Sequence, residues 1–166
     1  MTGHTGTSFP ESRQFKDPEK QTRQKGAILT LDEEAIRNRT QETAKKLFGK
    51  GVKMDPPYLT WKAFDRELAN DFSMFITGNL YSRTVLTLPE RQMAACAILG
   101  AIRATDELKL HVNAALNVGC DPRKLTEIFF QMAPYAGMPA VNEALAVFRE
   151  VLEEREEWPI ARETAP

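Results

Sequence analysis

TLPERQMAACAILGAI, residues 87–102, reads as a helix at the centre of a bundle. Thr87 and Glu90 stand three apart, the spacing of a capping box in which hydroxyl and carboxylate each satisfy an orphan backbone N–H. Pro89 falls in the first turn, where no N–H is needed. From Met93 to Ile102 the pattern is apolar on every side, and a helix of that kind is expected to be the central, buried one.

The same signals recur on both sides. Downstream, Asp106 is expected to cap a helix that stops at Gly119. Asp121-Pro122 opens another, with Leu125, Ile128, Phe129, Met132, Ala133 and Ala136 at helical spacing. Pro134 removes a backbone donor and should kink or shorten its last turn. Gly137 stops that helix, Pro139 restarts the chain, and Val141, Ala144, Leu145, Phe148, Val151 and Leu152 form a final stripe. The acidic run Glu153–Glu157 beside a helix C-terminus favours fraying.

Upstream, Thr30–Glu33 is a further capping box, predicting a helix over about 31–48 with a weak face of Ile36, Thr40, Ala44 and Leu47. Gly49-Lys50-Gly51 ends it and Asp55-Pro56-Pro57 opens the next. There Trp61, Phe64, Leu68, Phe72, Phe75 and Leu80 lie on one stripe running to about Tyr81, read as core. Six helices with short connections and no alternating strand pattern predict an all-α bundle. Residues 1–27 are polar, carry Gly and Pro, show no period, and are expected to be a flexible arm. The domain is placed at 28–157 and a C-terminal tail at 158–166.

Composition narrows the function. The 166 residues suit one domain and one core. An apolar fraction of 42%, a charged fraction of 27% and a net charge of −1 are ordinary for a soluble protein and give no case for nucleic acid or an anionic membrane. The first twenty residues have no apolar centre to serve as a secretory signal. The longest apolar run, Met93–Ile102, is about half of the ~20 residues needed to cross a bilayer. Cys96 and Cys120 have neither metal-type nor disulfide-framework spacing, which suits a reducing compartment. A cytoplasmic location is expected.

Of the two histidines, His4 falls in the arm and His111 lies on the helix of about 107–118, sharing a face with Leu108, Ala115 and Val118. It is open to two readings, a satisfied core histidine or a chemical group. Glu107, one turn earlier, can reach the ring and favour the imidazolium, while burial favours the neutral form. Ala114 and Ala115 leave space beside it. One histidine and one glutamate fall short of a metal site, and neither a phosphate-cradling glycine loop nor a nucleophile elbow is present. Arg83, Arg91 and Arg103 flank the apolar helix; any of them could bind a carboxylate, though each taken singly suits a surface. Glu127 and Gln131 read as a surface pair.

The stretch from Arg91 to about Ala144 resembles the carboxymuconolactone decarboxylase family. The resemblance rests on Glu107-Leu108-x-x-His111, Ala114-Ala115-Leu116-x-x-Gly119, Glu127, Gln131 and Tyr135-Ala136-Gly137-Met138-Pro139, with Asp71-Phe72 and Gly78–Arg83 upstream. It implies an alkylhydroperoxidase-like helical fold and a homo-oligomer, often a trimer or hexamer, with pockets between subunits. The redox branch of that superfamily carries Cys-x-x-Cys-x-x-x-His; here those cysteine positions are Ala104 and Glu107, so a peroxidase or disulfide reductase reading loses its nucleophile. The decarboxylase branch implies cofactor-free loss of carbon dioxide from a small carboxylated lactone such as γ-carboxymuconolactone, in aromatic-compound breakdown. Electrons left by that loss pass into the lactone carbonyl, so no metal or pyridoxal sink is required. In that reading His111 is the general acid, Glu107 its orienting partner, and Arg83 and Arg91 bind substrate.

Overall fold

The computed structural model describes the backbone of residues 18–52 and 55–160, with side chains from Asp32 onward. The chain divides into a unit ending at Glu34 and a second, Ala35–Pro166, which holds the core and the cavity described below. Residues 1–17, including His4, and 161–166 lie outside the described residues.

Eight α-helices and one π-helical turn make up the described residues: α1 Pro18–Phe48, α2 Pro57–Phe64, α3 Arg66–Ser73, the π turn Met74–Leu80, α4 Leu88–Ala101, α5 Thr105–Asn117, α6 Pro122–Gln131, α7 Ala133–Ala136 and α8 Met138–Glu154. The all-α bundle stands, with more pieces than six. Thr87 forms the expected capping box with Glu90 at the head of α4. Asp121 caps α6 by accepting from the Arg123 N–H. Pro134 sits in a short separate helix, and Gly137, at φ 80°, turns the chain into α8. That left-handed conformation suits glycine, which lacks the Cβ that would clash.

The core lies between α4, α5, α6 and α8. Cys96, Leu108, Val112, Phe129, Val141 and Leu152 are among its fully enclosed members. Lys109 bonds Glu150 at 2.6 Å and Glu154 at 2.9 Å, fastening α5 to α8 on the outside. Asn117 donates to the carbonyls of Leu47 and Lys50, both at 2.8 Å, and so ties the end of α1 to the end of α5.

Five expectations are corrected. The first helix begins at Pro18, so Thr30 lies inside it and residues 18–27 of the expected arm are helical. The helix of His111 is entered from Ala104, with Asp106 in its first turn instead of capping it. The chain between Pro57 and Tyr81 is not one helix: Asp65 is extended, accepts from the Leu68 N–H at 2.9 Å, and restarts the helix as α3. Its aromatic stripe is not core either, for Phe64 is 89% exposed and Phe75 62%. Finally, α4 is not buried on every side. It buries Gln92, Cys96 and Gly100, four residues apart on one face, while Ile98 and Ile102 look outward.

Candidate active site

A cavity of about 730 Å³ opens between α1, α2, α3, the π turn and α5. One face of α1 supplies Arg37, Gln41, Ala44 and Phe48, which recur at helical spacing. Tyr58 and Trp61 come from α2, and Met74, Ile76 and Thr77 from the π turn, whose wider coil marks functional positions more often than chance. The turn can lie against α1 because residue 78 is glycine. A Cβ there would overlap the Thr40 hydroxyl and stand 3.0 Å from the Ile36 carbonyl oxygen. From α5 come Glu107, Leu110 and His111. The exposed polar side chains form the rim and the half-buried aromatic and aliphatic ones the walls.

His111 is held on two sides. Its Nδ1 lies 2.8 Å from Oε1 of Gln92, and Phe48 meets the ring edge-on at 6.4 Å. A carboxamide oxygen only accepts, so Nδ1 carries the hydrogen and Nε2 of the neutral ring keeps its lone pair for a molecule in the cavity. Burial pushes the imidazole below its ordinary pKa of 6.5, and Glu107 opposes the shift without outweighing it. The resting ring is therefore neutral at pH 7. Of the two opposing effects that the sequence left open, desolvation is the larger.

Gln92 is fully enclosed, and its Nε2 has no hydrogen-bond partner. Leaving a buried amide donor unmade costs about 1–3 kcal/mol, so such a donor in a native structure calls for a reason. Its polar neighbour is Tyr81, which lines the cavity. Burial raises the Tyr81 pKa most and the Cys96 side adds to the rise, while the Gln92 amide and Arg91 oppose it. Tyr81, Gln92 and His111 thus form a polar line from cavity to core.

Glu107 and His111, expected together, both line the cavity, although the hydrogen bond that orients the ring comes from Gln92. Arg83 and Arg91 are not among the residues lining it. Arg91 donates to the Arg83 carbonyl at 3.2 Å and braces the turn ahead of α4. The thiols are sealed in the core. Burial drives Cys96 up to about 12 and Cys120 up to about 11, so neither supplies thiolate at neutral pH. Among the described residues no three His, Cys, Asp or Glu side chains converge to hold a metal, and no helix is long and apolar enough to cross a membrane.

Residues 66–150 match the model of the carboxymuconolactone decarboxylase family. The chain belongs to that family. Its curated relatives include 4-carboxymuconolactone decarboxylase of Acinetobacter baylyi, 33% identical over 91 residues, which covers 55% of this chain and 68% of that protein. An uncharacterized 15.0 kDa protein from the nqo9–nqo10 intergenic region of Paracoccus denitrificans is 33% identical over 83 residues. That alignment covers 48% of this chain and 61% of the relative. The family segment contains Gln92, Glu107 and His111, whereas Arg37, Phe48, Tyr58 and Trp61 lie ahead of it.

Sequence reasoning missed Gln92, and a signal was there. A carboxamide four residues before Cys96, on the buried face of an apolar helix, needs a partner, and the one histidine of the core is the natural candidate. Arg37 and Trp61 gave no comparable signal, since no motif singled out Arg37 and Trp61 read as core.

Proposed function

We propose that this protein is a cofactor-free carboxy-lyase of the cytoplasm, acting on a carboxylated lactone in aromatic-compound breakdown, with His111 as the proton donor. The observation that carries this reading is the Gln92–His111 contact at 2.8 Å, which fixes the ring so that its other nitrogen serves the cavity. The empty-handed enzyme holds a neutral imidazole. An anionic substrate beside the ring, with Glu107 one turn away, raises its affinity for a proton, which it takes from water. The substrate's C–C bond to the carboxylate then breaks, carbon dioxide leaves, and the electron pair delocalises into the lactone carbonyl. Nε2–H gives its proton to carbon, and the ring returns to the neutral form. A positioned acid of this kind is worth roughly 10²–10⁴-fold. Gln92 holds the tautomer, and Glu107 favours the charged ring without bonding it.

We further propose a homo-oligomer of trimer or hexamer type. Phe64, Phe72 and Phe75 of the 57–80 segment are exposed, and large aromatic side chains left to water suit an interface between copies. A substrate-binding role for Arg83 and Arg91 requires a neighbouring copy to set its cavity against the turn that bears them.

The test is turnover of 4-carboxymuconolactone by the full chain. His111→Ala should lower it at least about 10²-fold while the helical circular-dichroism signal stays unchanged. Equal turnover by the parent and His111→Ala would remove His111 from the mechanism.

A further inference from the structure

We infer that Tyr81 is a second catalytic residue, whose hydroxyl donates a hydrogen bond to the lactone carbonyl oxygen as that oxygen takes up the charge left by departing carbon dioxide; this rests on the lyase reading of the same site.

Gln92 is a strut with two ends. Its Oε1 accepts from Nδ1 of His111 at 2.8 Å, while Nε2, which can only donate, has no full hydrogen bond although the residue is wholly enclosed. The group on which this amide acts is the Tyr81 phenol. There it opposes the rise in pKa that burial causes, as an N–H turned toward the phenol oxygen does. Contacts of this kind are often long in an empty site and tighten once substrate is in place. A phenol oxygen that faces a donor keeps its own hydrogen for a different acceptor. Tyr81 lines the cavity together with His111, so that acceptor is a molecule bound there.

Other hydroxyls of the lining are less suited. Thr40 donates to the Ile36 carbonyl at 2.7 Å and Tyr58 to Asn70 Oδ1 at 2.8 Å, so both are committed within the protein. Tyr81 is set apart from Ser73 and Thr77 by its tie to the amide that holds His111. Its backbone is also fixed. The Tyr81 N–H closes the π turn onto the Ile76 carbonyl at 2.9 Å, and the Ser82 hydroxyl donates to the Gly78 carbonyl. A donor set in advance costs no reorganisation when charge develops beside it.

When the C–C bond to the carboxylate breaks, its electron pair reaches the lactone carbonyl oxygen and leaves an enolate. Tyr81 O–H bonds to that oxygen and keeps its hydrogen, since burial holds the phenol above its ordinary 10.0. The proton that ends on carbon comes from Nε2–H of His111. A donating O–H makes its own oxygen a better acceptor, so the orphan N–H of Gln92 gains its partner at the step that develops charge. One carboxamide then positions both the acid and the oxyanion donor.

Two measurements on the full chain test this. Tetronate is a five-membered lactone that is ionised at neutral pH, with charge shared onto its carbonyl oxygen; 2(5H)-furanone is a neutral lactone of the same ring size. We expect the parent to bind tetronate more tightly than 2(5H)-furanone in calorimetric titration. Tyr81→Phe should weaken tetronate at least about tenfold, as fits a lost hydrogen bond to a charged group, and leave 2(5H)-furanone unchanged. Gln92→Met, similar in shape but without a donor, should weaken tetronate as well, and adding Tyr81→Phe to it should cost little more. In turnover of 4-carboxymuconolactone, Tyr81→Phe should lower kcat about 10²-fold or more with KM and the thermal unfolding midpoint unchanged. A parent that binds the two lactones equally, or a Tyr81→Phe variant that binds tetronate as the parent does, overturns the inference. An unchanged kcat for Tyr81→Phe in an enzyme that His111→Ala disables also overturns it, and leaves the lyase standing. Tyr81-dependent tetronate binding with turnover indifferent to His111→Ala keeps the oxyanion donor and removes the acid proposed for the lyase.

Discussion

The helices α4 to α8 and the segment from Pro57 to Leu86 are written in the same kind of sequence, yet they end up in different surroundings. In the first region Phe129, Val141, Val151 and Leu152 are fully enclosed. In the second, Phe64, Phe75 and Val85 stand more than half exposed. Helical periodicity names the face that wants cover, but it does not name what covers it. The α4–α8 region finds cover within the chain. The 57–86 segment turns part of its apolar surface to a cavity and leaves the remainder exposed, where the proposed second copy would sit.

The sharpest way to break this contrast is to truncate one aromatic ring in each region. Phe129 is wholly buried and packs its ring 5.5 Å from Phe148. Phe129→Ala should cost about 3–5 kcal/mol in urea unfolding. Phe64→Ala should leave the chain's own stability within about 0.5 kcal/mol and act on assembly, read by sedimentation velocity. Similar unfolding costs for the two would erase the distinction.

A smaller effect is expected where the 57–86 segment meets α1. Gly78→Ala forces the π turn away from Thr40 and Ile36 of α1, at about 1–3 kcal/mol for overpacking. It should also weaken ligand binding in the cavity. A variant as stable as the parent, with unchanged affinity, would show that α1 and the π turn yield independently.

The least disruptive change concerns pH. If protonated His111 does the work, kcat/KM falls as pH rises through a pKa below 6.5, because burial holds the ring's affinity for protons down. Glu107 opposes that shift, so Glu107→Gln should move the limb further to the acid side. A pH–rate profile that Glu107→Gln leaves in place would detach Glu107 from the ring.

Much of the fold was legible because its signals are local. Thr87 and Glu90, Asp121 and Gly137 act within a turn of themselves, and each does what its spacing predicted. The stripe from Trp61 to Leu80 was misplaced because burial depends on partners distant in sequence or on another copy. Asp65 broke it for a local reason that the stripe concealed: a short carboxylate satisfies the next helix's N–H better than it continues the previous one. In the site, Glu107 and His111 were visible through their one-turn spacing, and the family resemblance pointed to the same pair. Gln92, nineteen residues before the histidine, was not, because only the packing of α4 on α5 brings the two side chains together. Arg37 and Trp61 belong to elements whose mutual placement no periodicity encodes.

The π turn Met74–Leu80 carries a consequence for how this cavity can change over evolutionary time. A π coil holds one residue more than an α coil over the same rise, so it acts as an indexing step in the chain. Deleting one residue from it would restore α geometry while both flanks nearly keep their places, because the wider coil alone absorbs the extra residue. Tyr81 is the next residue, and it stands between the cavity and Gln92. A single codon lost or gained there would redraw the wall that Met74, Ile76 and Thr77 form while leaving the α4–α8 core untouched, a short route by which a lineage could exchange one ligand for another.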